Sequence, residues 1–256
     1  MQFFTRFTSA GIVALLLASG AHAQNQAGSF SAFSIDKGHE ESSNGGAGVP
    51  DLTLLSDGAG VTRLGLNRIN RSSSAMSGGS LGDYTEYSLA MRLSALPGYQ
   101  ITGLSFSSAL TGDLKVETAP AGSWVSYPGS ATNGASAYFG VNGVENPANR
   151  YSIKDVLGSG SLNVPSYAYS QAGPLSLTLG TLVTARAQRG EYATGPDDSF
   201  YSSAYASMQM SDAVLTIYSA ALPVPEPETW LMLLGGLVLL PLAARRGNMS
   251  KIRLPS

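Results

Sequence analysis

The side chains that could do chemistry in this chain are few and widely separated. Ser80 lies in a Gly-x-Ser-x-Gly pattern, which in hydrolases marks a nucleophile on a sharp turn between a strand and a helix. That chemistry needs a histidine later in the chain, and none follows Ser80. His39 is the one histidine beyond the first 23 residues. We therefore predict no enzyme activity, and we expect His39 to be a solvated residue in a loop.

Asp197 and Asp198 could contribute to a metal site. Calcium sites use clustered oxygen ligands in loops, and the two carboxylates are adjacent in a segment predicted to be a loop. A solvated acidic turn is the alternative interpretation. The chain has no cysteine, so thiolate metal sites and disulfides are excluded. We expect no cofactor.

The tyrosines are candidates for contact with carbohydrate. The chain has 12 of them, and an exposed tyrosine can stack its ring on the face of a sugar. The candidates that we single out are Tyr167, Tyr169, Tyr201 and Tyr205. The alternative is that most of them are half-buried strand residues.

The elements that would position these residues are short and rich in β-structure signals. Tyr87, Leu89, Met91 and Leu93 alternate with small or polar residues, and 104–110 and 175–183 show the same period of two. We predict that 87–93 and 104–110 form a hairpin-like pair around Pro97 and Gly98. The segment 52–55 is predicted to pair with 61–69, whereas 36–50 and 71–82 are predicted to be loops.

No segment of residues 24–222 shows a convincing helical period. The sequence therefore predicts one all-β domain over 24–222, an antiparallel β-sandwich of jelly-roll or Ig-like type. This segment carries ten basic and fifteen acidic residues, a net charge of about −5, without a basic cluster. We accordingly expect no nucleic-acid partner.

Residues 1–23 have the features of a secretory signal peptide. Arg6 makes the start positive, 11–17 is apolar, and Ala21 and Ala23 form an A-x-A cleavage site before Gln24. The alternative is a short N-terminal anchor. Cleavage would involve the Sec translocon and signal peptidase and would place the domain outside the inner membrane.

The C-terminal segment 223–246 has three consecutive parts. The stiff peptide Val224, Pro225, Glu226 and Pro227 is followed by an uncharged apolar run over 230–244. As a helix the run would span ~22 Å, short of a ~30 Å hydrocarbon core, so we expect one short transmembrane helix. A basic pair ends the run and is followed by a basic cytoplasmic tail, 247–256. That pair consists of Arg245 and Arg246.

This tail resembles the PEP-CTERM sorting signal of Gram-negative bacteria. The resemblance rests on Pro225, Glu226 and Pro227, the apolar run and the basic pair Arg245 and Arg246. It implies recognition by an exosortase, a membrane-embedded protease that cuts near the motif. It also implies a precursor held in the inner membrane and then placed at the cell surface, outer envelope or matrix, in an exopolysaccharide or biofilm setting.

Three functional alternatives follow. The first is an exported, non-enzymatic envelope or matrix protein that carries a sorting signal. The second is a surface carbohydrate-binding module held by a plain, uncleaved C-terminal helix. The third, a secreted hydrolase, is disfavoured because His39 is the only imidazole in 24–222.

Overall fold

The computed structural model describes residues 28–43, 46–77, 82–145, 150–171 and 173–223. Within these ranges the chain forms β-strands and one 3-10 turn, Ile69–Arg71, and no helix there has the length and apolar character needed to cross a membrane. Several predicted features lie outside the described residues: Ser80, the signal peptide with Ala21, Ala23 and Gln24, the sorting motif from Val224 to Pro227, the apolar run 230–244, and Arg245 and Arg246.

The strands have the following bounds: β1 (Gly28–Ser29), β2 (Phe33–Ser42), β3 (Gly46–Gly48), β4 (Leu52–Gly58), β5 (Val61–Leu66), β6 (Ser73–Ser77), β7 (Gly82–Ala95), β8 (Tyr99–Val116), β9 (Trp124–Tyr127), β10 (Ser130–Val141), β11 (Val144–Glu145), β12 (Tyr151–Lys154), β13 (Gly158–Gln171), β14 (Pro174–Gln188), β15 (Glu191–Gly195), β16 (Asp198–Tyr201) and β17 (Ala204–Ala221).

Two antiparallel sheets form the body of the protein. The eight-stranded sheet has the order β1-β2-β7-β14-β10-β11, with β3 added to β2 and β12 added to β10. The six-stranded sheet has the order β13-β8-β17-β5-β4, with β6 added to β17. Buried side chains from both sheets form one core cluster. The predicted antiparallel β-sandwich is therefore confirmed.

The core is built from the alternating strands that the sequence indicates. In β7 the side chains of Tyr87, Leu89, Met91 and Leu93 are all buried. Their neighbours on β14 at 175, 177 and 179 are buried as well, and each fully enclosed side chain of this size contributes about 1.5–3 kcal/mol. A period of two thus identifies the face of each strand that packs inward.

The predicted pairing of β7 with β8 is wrong. The chain turns at Pro97 and Gly98 as predicted, but β7 pairs with β2 and β14, whereas β8 pairs with β13 and β17. The turn therefore connects the two sheets. The reason is that both strands carry a long apolar face, and an arch between sheets brings those faces together across the core, whereas a hairpin would set them side by side.

The predicted loop 36–50 is mostly strand. β2 continues to Ser42, and β3 pairs with it. His39 is exposed, as expected, but on a strand and not in a loop. The sequence pattern fails here because Glu40, a charged residue, points into the core and is fully buried. The predicted loop 71–82 likewise contains β6.

Glu40 connects the two sheets through a buried polar network. Its Oε1 lies 2.6 Å from the Nε of Arg68, which follows β5, and its Oε2 accepts a hydrogen bond from the Tyr87 hydroxyl at 3.0 Å. Burial raises the pKa of the Glu40 carboxyl. Three weaker effects lower this pKa: a hydrogen bond from the Asp51 backbone, the hydrogen bond from the Tyr87 hydroxyl, and the positive charge of Arg68. The ion pair with Arg68 and the hydrogen bond from Tyr87 offset part of the cost of burying this carboxylate.

Asn133 makes a second connection between the sheets. Its amide nitrogen donates to the Ser207 carbonyl at 2.7 Å, which links β10 to β17. The same side chain exchanges hydrogen bonds with the backbone of Val156, in the connection between β12 and β13. This contact fixes the end of the sandwich from which a third, smaller sheet begins.

Candidate functional site

A three-stranded sheet extends the sandwich at one end. Its strand order is β16-β15-β9. β9 directly precedes β10, β15 follows β14 and β16 precedes β17, so each strand continues a long strand of the sandwich body. The hairpin of β15 and β16 thereby joins the eight-stranded sheet to the six-stranded sheet.

Tyr192 attaches this third sheet to the body. Its side chain is buried, and its hydroxyl oxygen lies 3.3 Å from the carbonyl of Glu117 and 3.2 Å from that of Pro128. A side chain at Gly190 would collide with the Tyr192 hydroxyl and would come within 2.7 Å of Ser202 Oγ. Glycine at position 190 therefore allows the ring to pack against its own strand.

Glu117 adds a second attachment at the base of the sheet. Its carboxylate accepts a hydrogen bond from the Ser203 backbone N–H at 2.9 Å, and its own N–H donates to the Ser203 carbonyl at 3.0 Å. The hydrogen bonds from Ser203 lower the pKa of the Glu117 carboxyl. This carboxylate is thus used for structure, between the end of β8 and the start of β17.

The opposite face of the third sheet carries aromatic side chains. Residues that are directly opposite in neighbouring strands share a face, and Glu191 is opposite both Tyr201 and Tyr127. Two residues further along β15, and therefore on the same face, Ala193 is opposite Trp124. We call the side chains of Trp124, Tyr127, Tyr201 and Glu191 the aromatic face.

The aromatic face is open to solvent. Trp124 is 68% exposed and Tyr201 is 59% exposed, although large aromatic side chains are usually buried. The Arg189 guanidinium lies 5.2 Å from the centre of the Tyr201 ring, within the range of a cation–π contact. The Tyr127 hydroxyl donates to Gln188 Oε1 at 2.9 Å, which fixes its ring against the end of β14.

This arrangement is suited to holding a flat, partly apolar ligand that carries hydroxyl groups. Trp124 and Tyr201 are separated by two strand spacings across the sheet and by two residues along it, so ideal sheet geometry places their Cα atoms about 12 Å apart. Two rings at this spacing can contact one extended polymer at two separate units, and the Glu191 carboxylate between them can accept hydrogen bonds from hydroxyls. Phe200 and Val125 are also exposed, on the other face of the same sheet.

The structure does not bring the four predicted tyrosines together. Tyr201 belongs to the aromatic face, but Tyr205 is half-buried on β17. Tyr167 and Tyr169 lie on β13, where Tyr167 is opposite Leu104, whereas Tyr205 is opposite Lys115, eleven residues further along β8. These pairings place Tyr167 and Tyr205 near opposite ends of the six-stranded sheet.

Sequence reasoning missed Trp124 and Tyr127. Neither residue is singled out from the sequence as a candidate for contact with carbohydrate. The signal that could have indicated them is a pair of aromatic residues in the short segment between Gly122 and Gly129, which forms a four-residue strand. A strand this short contributes little to the core, so its aromatic side chains are candidates for exposure. Their neighbours Glu191 and Tyr201 are more than sixty residues away in the chain, so no local pattern indicates the cluster.

The predicted calcium ligands occupy a tight turn. Asp197 is in the turn between β15 and β16, and Asp198 begins β16 with an exposed side chain. Across the described part of the chain, no three acidic or histidine side chains are grouped closely enough to hold a metal ion. The calcium site remains a prediction.

No family model matches the chain, and no curated protein matches it significantly. Among the solved structures that match is that of TmCBM61 in complex with beta-1,4-galactotriose, which is 11% identical. The match covers 67% of this chain and 89% of that chain with a TM-score of 0.22, too low to support an argument about this protein.

Proposed function

We propose that this chain is an exported, non-enzymatic surface protein that binds polysaccharide through the aromatic face. The observation that supports the proposal is the exposure of Trp124 and Tyr201 on one face of a sheet that is firmly attached to the body. Exposed aromatic surface is unfavourable in water and commonly marks a site of binding. The β-sandwich then serves as a rigid support for this surface.

An open face favours a polymer over a small free sugar. A small ligand needs a pocket that encloses most of its surface, whereas the rings of Trp124 and Tyr201 are largely exposed to solvent. A chain of sugars can instead contact Trp124, Tyr127 and Tyr201 in succession. Because the rings are held by β-strands, little conformational entropy is lost when the polymer binds.

Binding can be tested by affinity electrophoresis of the purified full chain in gels that contain polysaccharides. We expect retardation in at least one polysaccharide gel and a loss of about tenfold or more in affinity for Trp124→Ala, because a buried aromatic contact is worth about 1.4 kcal/mol or more. Tyr99→Ala is the control, since Tyr99 is exposed at the start of β8, far from the third sheet. Equal mobility of all three proteins in every gel would refute the proposal.

Delivery to the surface forms the second part of the proposal. The signal peptide 1–23 exports the chain, the helix 230–244 holds the precursor in the inner membrane, and exosortase acts at Pro225, Glu226 and Pro227. The resemblance to PEP-CTERM signals rests on sequence alone. The alternative is a carbohydrate-binding module held by the same helix without cleavage.

Cell fractionation with C-terminal mass analysis distinguishes these alternatives. In cells with the sorting protease, the surface form should end near Pro227, whereas cells without it should retain the full tail in the inner membrane. If the peptide 231–244 remains attached to the surface form, the sorting part of the proposal is incorrect and the uncleaved anchor is favoured.

A further inference from the structure

A groove lies beside the aromatic face, on the outer surface of the eight-stranded sheet. It has a volume of about 380 Å³ and runs between β12, β10 and β14. Lys154 and Arg186 border it, with the hydroxyl residues Thr132 and Thr184 between them. At Gly134, between these strands, a Cβ would come within 3.2 Å of the Ile153 carbonyl oxygen and 3.3 Å of Thr184 Oγ1, so glycine allows β12 and Thr184 to approach the β10 backbone closely.

The groove and the aromatic face are continuous. The Tyr127 hydroxyl is 2.9 Å from Gln188 Oε1 and 3.4 Å from Ser130 Oγ. Ser130 and Gln188 are opposite each other at the ends of β10 and β14, and the next outward-facing pair along these strands is Thr132 and Arg186. A ligand that follows the strands therefore passes from the aromatic rings directly into the groove.

Basic side chains are concentrated along this path. Arg150, Lys154, Arg186 and Arg189 are four of the ten basic residues between positions 24 and 222, and all four are exposed. None of them has a carboxylate within 4.0 Å among the residues that the structure describes. These four residues are spread over positions 150–189 of the sequence. The pairing of β12 and β14 on either side of β10 brings them to one surface.

Within the groove itself, Lys154 and Arg186 exceed the one lining carboxylate, Asp155, by one positive charge. Over the wider surface the four basic side chains are balanced by four acidic ones: Asp155, Glu86 at the groove's edge, and Glu191 and Asp198 on the third sheet. The segment 24–222 as a whole carries about −5. An anion in the groove therefore meets less repulsion than the total charge of the segment would give.

We propose that the groove and the aromatic face form one binding surface for an acidic polysaccharide, with Lys154 and Arg186 holding its carboxylate or sulfate groups. This inference rests on the proposed function and specifies its ligand. Hydroxyl groups of the sugars match Thr132 and Thr184 in the groove, and sugar faces match the rings of Trp124 and Tyr127. Duplex nucleic acid is a poorer match, because it carries a charge every ~1.7 Å and needs more cations than this surface offers.

The test compares two polymers that have the same sugar backbone and differ in charge. Polygalacturonate carries a carboxylate on each unit, and its methyl-esterified form masks that charge on the same backbone. The purified full chain should bind the acid form about tenfold more tightly at 50 mM salt, and the difference should shrink at 500 mM salt because exposed charges are screened. Calf thymus DNA serves as the nucleic-acid probe and should bind more weakly than polygalacturonate.

Matched variants separate the inference from the function on which it rests. Lys154→Gln with Arg186→Gln should remove the preference for the acid form and leave binding of the ester unchanged. Lys37→Gln with Arg63→Gln removes the same charges from exposed positions elsewhere and should keep the preference. Trp124→Ala should weaken binding of both forms.

The outcomes are distinguishable. If wild-type protein binds both forms equally, or if the two double variants behave alike, the inference is overturned and the proposed function stands. If DNA binds more tightly than the acid polymer, the inference is also overturned. If neither polymer binds in any of these conditions and no other polysaccharide retards the chain, the inference and the proposed function both fail.

Discussion

At the scale of single residues, Glu40 and Trp124 depart most clearly from their usual environments. Glu40 is a carboxylate with no exposed surface, and Trp124 is a tryptophan with most of its surface in solvent. The first connects two sheets through Arg68 and Tyr87. The second has no structural role in the core, which is why we assign it a role in binding.

The stability of the protein should depend on pH through Glu40. Burial raises the pKa of the Glu40 carboxyl in the folded state. The stabilisation that this group contributes to the fold is therefore fully present below its ordinary pKa of 4.5, and it is lost as the pH rises through the raised pKa. Asp36 has a lowered pKa, mainly because of its hydrogen bond with Ser94, and its contribution is lost as pH falls. Comparison with Glu40→Gln isolates the first effect.

The measurement is urea denaturation of the wild type and Glu40→Gln at pH 4.5 and pH 7.5. We expect the free energy of unfolding of the wild type, relative to that of the variant, to decrease between the two values. If the free energy of unfolding of the wild type, relative to that of Glu40→Gln, stays constant or grows as the pH rises, the pKa of Glu40 is not raised.

Removal of Arg68 should be costly. Arg68→Met leaves the Glu40 carboxylate buried without its ion pair, which destabilises the fold by about 3 kcal/mol at pH 7.5. The double variant Glu40→Met with Arg68→Met should recover most of this loss, because no buried charge remains. Denaturation of the single and double variants checks this, and a double variant less stable than Arg68→Met would contradict it.

At the scale of elements, the third sheet is the part of the fold to which we assign polysaccharide binding. Its three strands are short, and a sheet of this size needs packing against the body to be stable. Tyr192, with Gly190 and Ser202 around its hydroxyl, supplies that packing. The positions of Trp124 and Tyr201 therefore depend on a residue that no ligand touches.

Tyr192→Phe tests this dependence. The variant keeps the ring but loses the contacts to the carbonyls of Glu117 and Pro128, so the third sheet should open more often. Amide hydrogen exchange should increase in 191–201 and remain unchanged in β7 and β14. Affinity for polysaccharide should fall as exchange in 191–201 increases. Unaltered exchange in 191–201 would show that the Tyr192 hydroxyl does not hold the third sheet in place.

The same elements show what the sequence can and cannot predict. The period of two in 87–93 and 175–183 correctly identified core strands, because burial of one face dictates that pattern. It could not identify the partners of a strand, so β7 and β8 were wrongly paired. It also could not find the aromatic face, because Trp124, Glu191 and Tyr201 are brought together by pairing between distant segments.

At the scale of the whole molecule, we propose separate roles for the described body and the two terminal segments. The body contains the sandwich, the aromatic face and the groove. The segments 1–23 and 224–256 are expected to determine where that body is delivered. The net negative charge of residues 24–222 and the basic residues after position 244 fit the proposed orientation, in which the body lies outside the inner membrane and the C-terminus inside.

Deletion of residues 224–256 should separate placement from binding. We expect the truncated chain to be exported and to bind polysaccharide with unchanged affinity, but to be absent from the cell surface. Fractionation followed by affinity electrophoresis measures both properties. A truncated chain found at the surface in normal amounts would contradict the role assigned to the tail.

The most direct test of polysaccharide binding uses the fluorescence of Trp124. The chain has two tryptophans, Trp124 and Trp230, so Trp230→Phe leaves Trp124 as the sole reporter in the otherwise full chain. Titration with an acidic polysaccharide should shift the Trp124 emission to shorter wavelength as the polymer covers the ring, and the shift should saturate. An emission spectrum that stays unchanged up to saturating polymer, while added denaturant still alters it, would contradict the account.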